Sequence, residues 1–317
     1  MVLRQGLIVL ALAGVLHFQR AADAAAQSRV TFLPEPGRLI IQVDGRPMGT
    51  YVYQDEEILR PYFSNLKAPG GVQVTRNHPP IIGKDKDDHA SMHPGLWLAF
   101  GDMDGHDFWR NKGTVRHDRF LDDPTSQGNQ GEFTVLNQYV AQERTVCEET
   151  CRIAIEVLPE GYLILWESAF SAQENAFAFG DQEEMGLGVR LATSIAVRSG
   201  QGGRILDDQG RRNEKAIWGK ETLWCDYAGP VGDAFAGIMI MPSPGNASPC
   251  RWHVRDYGFM AANPFAKKAF NAGPAAKTVV PVKKSLTLCF GIFLHSAQDE
   301  TALDLEQVYQ EYLKRER

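Results

Sequence analysis

The residues best suited to chemistry fall in one short run, Asp87-Asp88-His89-Ala-Ser-Met-His93-Pro-Gly-Leu-Trp97. Two imidazoles separated by three residues and preceded by carboxylates fit two roles. Both rings could ligate a metal, with Asp88 as a further ligand or a support. Alternatively, an imidazole that titrates near neutral pH could move protons while a carboxylate fixes its tautomer. The H-x-x-x-H spacing suits one face of a helix, but Pro94-Gly95 ends any helix there, so a turn is expected. The plain alternative is a pair of surface or packing histidines.

Three further segments carry suitable side chains. Gly101-Asp-Met-Asp-Gly-His-Asp-Phe-Trp109 resembles an alternating-carboxylate calcium loop only superficially, because no Glu stands at the twelfth position. Its Phe108 and Trp109 are either faces for sugar rings or core. In Gly180-Asp-Gln-Glu-Glu-Met-Gly-Leu-Gly-Val-Arg190, Glu183 and Glu184 stand before a strand that contains Arg190. A carboxylate there, facing the histidines, would be a general base; a solvated acidic turn is the alternative. The third comprises Leu223-Trp-Cys-Asp-Tyr-Ala-Gly229 with Arg251-Trp-His-Val-Arg-Asp-Tyr-Gly258. Strand alternation puts His253, Arg255 and Tyr257 on one face, and an imidazole, a guanidinium and a phenol together favour a polar cavity.

The elements that must position these groups are mostly short strands. Arg38–Val43 and 46–53 flank Asp44-Gly45, whose residues supply the positive φ of a type I′ turn. A second hairpin is expected from 152–158 and 162–170. Further strands are expected at 133–140, 187–197, 216–224, 234–241, 252–257 and 285–295. Residues 69–130 read as loop-rich, with 117–130 irregular, and hold five of the eight histidines. Thr301-Ala-Leu-Asp304 reads as a capping box before a helix with Leu305, Val308, Tyr309, Tyr312 and Leu313 on one stripe. This pattern predicts an all-β chain, a large antiparallel sandwich with a short C-terminal helix. With no repeat, linker or composition break, residues 27–317 are expected to form one domain.

Residues 1–26 have the layout of a secretory signal peptide: Arg4, the eleven-residue apolar run Gly6–Leu16, and small residues to Ala26. Cleavage after Ala24 or Ala26 is expected, giving a periplasmic or secreted protein. Removing Arg4, Arg20 and Asp23 moves the formal charge from −6 to −7. A mildly acidic chain without basic blocks argues against nucleic acid, and no later apolar stretch is long enough for stable membrane insertion. Cys147 and Cys151 could bridge a tight turn or remain thiols; Cys225, Cys250 and Cys289 read as core.

The strings Arg60-Pro-Tyr-Phe-Ser-Asn-Leu-Lys-Ala-Pro-Gly-Gly71, Asp88-His89…His93-Pro-Gly-Leu-Trp97, Gly186-Leu-Gly-Val-Arg190, Trp224-Cys-Asp-Tyr227 and Trp252-His-Val-Arg-Asp-Tyr-Gly258…Ala262-Asn-Pro-Phe265 together resemble the PmoA-like family of exported bacterial proteins. Where that family commonly has an Arg after the second His, this chain has Pro94. The resemblance implies a galactose mutarotase-like supersandwich and a carbohydrate or glycoside as partner. On that reading His89, His93 and Glu184 are catalytic. Arg60, Asn65, Trp109, Arg190, Asp226, His253, Arg255, Tyr257 and Asn263 bind substrate. No cofactor is expected, although a divalent metal would find His89, His93 and His253. Epimerase, hydrolase and lyase chemistry stay open, as do a non-catalytic glycan-binding module and the His-ligated metal protein that the methane-oxygenase label implies.

Overall fold

A computed structural model describes residues 29–315, so the expected signal segment 1–26 lies outside the described residues. Two eight-stranded antiparallel sheets make up most of it. In spatial order the first sheet runs Val30–Glu35, Arg38–Val43, Arg46–Val52, Tyr62–Ser64, Leu96–Phe100, Met185–Arg190, Phe259–Asn263 and Arg251–Arg255. The second runs Arg204–Asp207, Cys225–Val231, Ala234–Pro242, Ser285–Ala297, Gly161–Ser171, Arg144–Val157, Gln130–Ala141 and Thr114–Gln127.

Strand alternation explains why the sheets stack. Leu96, Leu98, Leu187, Val189, Val254 and Met260 of the first sheet share one buried core with Phe133, Val135, Ile153, Ile155, Ile238, Ile292 and Leu294 of the second. Burying each such side chain contributes about 1.5–3 kcal/mol. Rings lock the layers together, with Tyr51 and Phe133 centroids 5.0 Å apart and Phe63 and Trp166 5.7 Å apart. The fold is therefore the all-β antiparallel sandwich expected, with its short C-terminal helix at Leu305–Leu313.

The Asp44-Gly45 turn has φ of 51° and 72°, as a type I′ hairpin requires. Four expectations are corrected. Residues 216–224 are no strand: Asn213–Ile217 forms one helical turn, started by the Asp256 carboxylate accepting from Glu214 N–H at 2.9 Å, a partner far away in sequence. The strand expected at 187–197 ends at Arg190. Residues 117–130 are largely strand, Thr114–Gln127 pairing with Gln130–Ala141; three register shifts erase the alternation that would have revealed it. The C-terminal helix is capped by Asp304, which accepts from Gln307 N–H at 3.0 Å, whereas Thr301 donates to Asp299.

That helix lays Leu305, Tyr309 and Tyr312 on Met239, Met241 and Phe293, on the outer face of the second sheet. Cys147 and Cys151 are buried free thiols within the single strand Arg144–Val157. Four residues of extended chain separate them by about 13 Å, well beyond the reach of a disulfide.

Candidate functional site

The outer face of the first sheet carries the chemistry. Residues that alternate with the core positions point away from the sandwich: Trp97 and Ala99, Gly188 and Arg190, Phe259 and Ala261, His253 and Arg255. Trp97, Ala99, Trp109, Phe259 and Ala261 join Val52, Ile58 and Tyr62 in a small apolar cluster of their own. Gly188 makes room for it, since a Cβ there would lie 2.8 Å from Trp109 and 2.9 Å from Trp97. Gly95 has a similar role: its Cβ would meet the Phe63 carbonyl oxygen at 2.1 Å. The Pro94-Gly95 break thus lets the strand after His93 come close to its neighbour.

The expected turn is present. His89 adopts φ 55°, and its carbonyl accepts from His93 N–H at 2.8 Å and Met92 N–H at 3.0 Å. The two imidazoles consequently stack, with centroids 4.9 Å apart and planes 17° apart. His93 stacks in turn on Phe259 at 4.8 Å and on Trp97 at 5.0 Å. Tyr257 flanks His89 at 6.2 Å with planes 11° apart.

Asp88 organises this end. It accepts from Arg190 Nη1 at 2.9 Å and Nη2 at 2.8 Å, and it lies 3.0 Å from His89 Nδ1. Burial pushes the Asp88 carboxyl up, but the Arg190 and His89 hydrogen bonds outweigh it and hold the group at about 2. An ionised carboxylate accepts only, so Nδ1 carries the His89 proton and Nε2 is left as the base nitrogen. Arg190 also lies over the Tyr257 ring, 4.6 Å from its centroid. His93 is buried, and burial together with Arg190 and other cations keeps its ring well below the usual imidazole range, hence neutral.

At the other end, His253 Nε2 lies 3.5 Å from Glu183, which also meets Arg255 at 3.3 Å. Burial and the neighbouring Arg255 pull His253 down to about 3. Burial raises the Glu183 carboxyl; Arg255 opposes this and Glu184 reinforces it. Glu184 itself pairs with Arg110 at 2.6 Å, and Arg110 with Asp107 at 3.0 Å. Glu183, and not Glu184, is therefore the carboxylate beside an imidazole. Extending the strand's alternation backwards predicts the opposite, but residues 183–184 form a bend that breaks the phase.

Several residues expected to touch substrate instead build the frame. Arg60 is buried and donates to Trp109 O and Asn111 Oδ1, both at 2.8 Å, and to Met92 O. Asn263 donates to Gln182 O at 2.7 Å and Glu183 O at 3.1 Å, so it places Glu183. Trp109 is buried and meets His93 edge-on at 6.2 Å, which makes it packing and not an exposed platform. Asn65 brackets His78, accepting from its N–H at 3.1 Å. Asp226 lies on the second sheet beside Arg204 and His295, away from this site. Sequence reasoning missed Arg76, whose guanidinium ties down the carbonyls of Lys86, Asp88 and His93. It sits in no motif, so no local signal identifies it.

The three histidines considered for a metal do not form a ligand set. Stacked rings direct their in-plane lone pairs past each other, and Phe259 stands between His93 and His253, 4.8 Å and 4.9 Å from each. Among the described residues no group of three or more His, Cys, Asp or Glu side chains is placed to hold a metal ion.

Residues 38–310 match the model of the family described as "Family of unknown function (DUF6807)", and that match carries no methane-oxygenase label. No curated protein matches the sequence. Among solved structures, a galactose mutarotase-like protein from Lactobacillus casei ATCC 334 is 13% identical, with 84% of this chain and 100% of that chain covered and a TM-score of 0.34. A galactose mutarotase related enzyme from Lactobacillus acidophilus is 12% identical, with 86% and 100% covered and a TM-score of 0.29. A 4-alpha-glucanotransferase from Thermococcus litoralis is 9% identical, with 84% of this chain but 39% of that chain covered and a TM-score of 0.34.

Proposed function

The chain belongs to DUF6807, a family of unknown function, and from that premise we propose that it is a carbohydrate-active protein that works by acid–base catalysis on a sugar or glycoside. One observation carries this reading: two imidazole–carboxylate pairs, Asp88–His89 and Glu183–His253, stand at either end of a wall formed by Tyr257, His93 and Phe259. His93 and Phe259 are buried behind, so a sugar ring would offer its apolar C–H face to the partly exposed Tyr257 and His89 rings and its hydroxyls to the polar groups beside them. Opening or breaking an acetal needs a proton delivered to one oxygen and another removed nearby. Glu183, with its raised pKa, is the proton donor. His89, whose tautomer is fixed by Asp88, is the base through Nε2. His93 stays neutral and offers a hydrogen bond, and Arg255 and Tyr257 orient hydroxyls.

Nuclear magnetic resonance of a mono- and oligosaccharide panel is expected to reveal at least one sugar that binds and is turned over. Binding without turnover would make the protein a glycan-binding module, and neither would sink the reading. Export belongs to the same proposal. N-terminal sequencing of the mature protein from the periplasm or medium is expected to give a start at Ala25 or Gln27. A protein retained in the cytoplasm and beginning at Met1 would refute export.

A further inference from the structure

A cleft of about 570 Å³ opens on the second sheet, lined in part by Gly203, Arg204, Arg212, Phe235, Asp299 and Glu300. Its volume is in the range of small-molecule sites. Beneath it lies a buried ionic network independent of the His93 site. Asp226 is fully buried and accepts from Arg204 Nη1 at 2.8 Å, with its other oxygen 2.8 Å from His295 Nε2. Burial opposes the Asp226 charge, but His295 and Arg204 hold the carboxyl below its ordinary range. Removing such charges from water is costly, and hydrophobic replacements often serve stability as well. What the network achieves is to fix the plane of the Arg204 guanidinium, which also lies over the Phe235 ring at 5.3 Å.

The edge of that guanidinium meets a carboxylate at the cleft. Glu300 Oε2 lies 3.1 Å from Arg204 Nε and 3.5 Å from Arg212 Nη1. Both Glu300 and Arg212 are substantially exposed, with side-chain accessibilities of 43% and 55%, so their pairing adds little stability. Two guanidiniums converging on one carboxylate is the arrangement by which proteins bind carboxylate ligands.

We propose that this cleft is a second ligand site, which takes a small ligand bearing a single carboxylate (a sugar acid on the carbohydrate reading above), held by Arg204 and Arg212 in the place that Glu300 now fills. Glu300 then acts as an internal competitor on the segment between the last strand and the C-terminal helix. Asp233 and Asp299 also line the cleft and disfavour a polyanion, which separates a hexuronate from a nucleotide or a sugar bisphosphate. The Asp299 carboxylate is committed locally, to Thr301 N–H at 2.8 Å and Thr301 Oγ1 at 2.7 Å, so it does not compete for the arginines.

Calorimetric titration of the whole protein with glucuronate, and with glucose as the neutral control, tests this. Glu300→Gln is expected to tighten glucuronate binding at least tenfold, and Arg212→Ala in that background to abolish the gain. Glu183→Gln, at the first-sheet site, is expected to leave it unchanged. Arg212 is exposed, so its loss tests recognition without unfolding the chain. The proposal is overturned if Glu300→Gln does not bind glucuronate more tightly, if the same substitution tightens glucose binding equally, or if Glu183→Gln removes the gain. None of these outcomes depends on whether the first-sheet site turns over a sugar.

Discussion

Glu183→Gln is expected to lower kcat for sugar turnover by about 10²–10⁴-fold, the usual loss when a positioned acid or base is removed. His89→Ala is expected to fall in the same range. Sugar affinity should change far less, because the partly exposed Tyr257 and Arg255 remain to hold the ring. Glu184→Gln is the discriminating control. Its carboxylate is occupied by Arg110 at 2.6 Å, so a loss below tenfold is expected. Steady-state kinetics with thermal unfolding of each variant checks this. If Glu184→Gln abolished turnover while Glu183→Gln did not, the assignment of the acid would be wrong.

The second large effect is on stability in mild acid. His253 titrates near 6.5 when exposed and at about 3 in the fold, so the unfolded chain binds more protons between those values. Stability is therefore complete above about pH 6.5 and declines as pH falls toward 3. A tenfold difference in proton affinity between the two states is worth about 1.4 kcal/mol, so His253 alone costs of the order of 2 kcal/mol by pH 5. His93, also held below its ordinary value, acts in the same direction. Asp88 adds a loss at lower pH, since its folded value of about 2 lies below the ordinary carboxylate value of 3.8. Urea unfolding at pH 7 and pH 5 should show the decline, and His253→Gln should flatten it by about 2 kcal/mol. An unchanged slope in that variant would place the titrating group elsewhere.

How much of this was legible depended on whether the signal was local. The Asp44-Gly45 hairpin, the apolar strands and the C-terminal stripe follow from alternation and turn chemistry alone. So does the shared face of His253 and Arg255, because it needs only a strand without bulges. The His89 turn followed from Pro94-Gly95. What could not be read depends on distant partners. Asp256 converts 213–217 into a helical turn, and register shifts disguise the long strand at 114–127. The bend before Met185 exchanges the roles of Glu183 and Glu184. Arg60 and Asn263 are polar residues whose partners are mostly backbone carbonyls, a use that no motif announces.

The segment carrying the histidines is secured at its two ends by different kinds of attachment. Near Met92 the anchor is Arg60, whose acceptors are carbonyls and an amide, none of which titrates. Near Asp88 the anchor is the Arg190 clamp, which needs an ionised carboxylate. Burial draws Arg60 down to about 9, which leaves it charged throughout the acidic range. Acid therefore undoes the Asp88 side-chain clamp alone, since Arg76 still holds the Lys86, Asp88 and His93 carbonyls. What acid takes from the proposed base, His89, is the carboxylate that fixes its tautomer, and not its place in the fold.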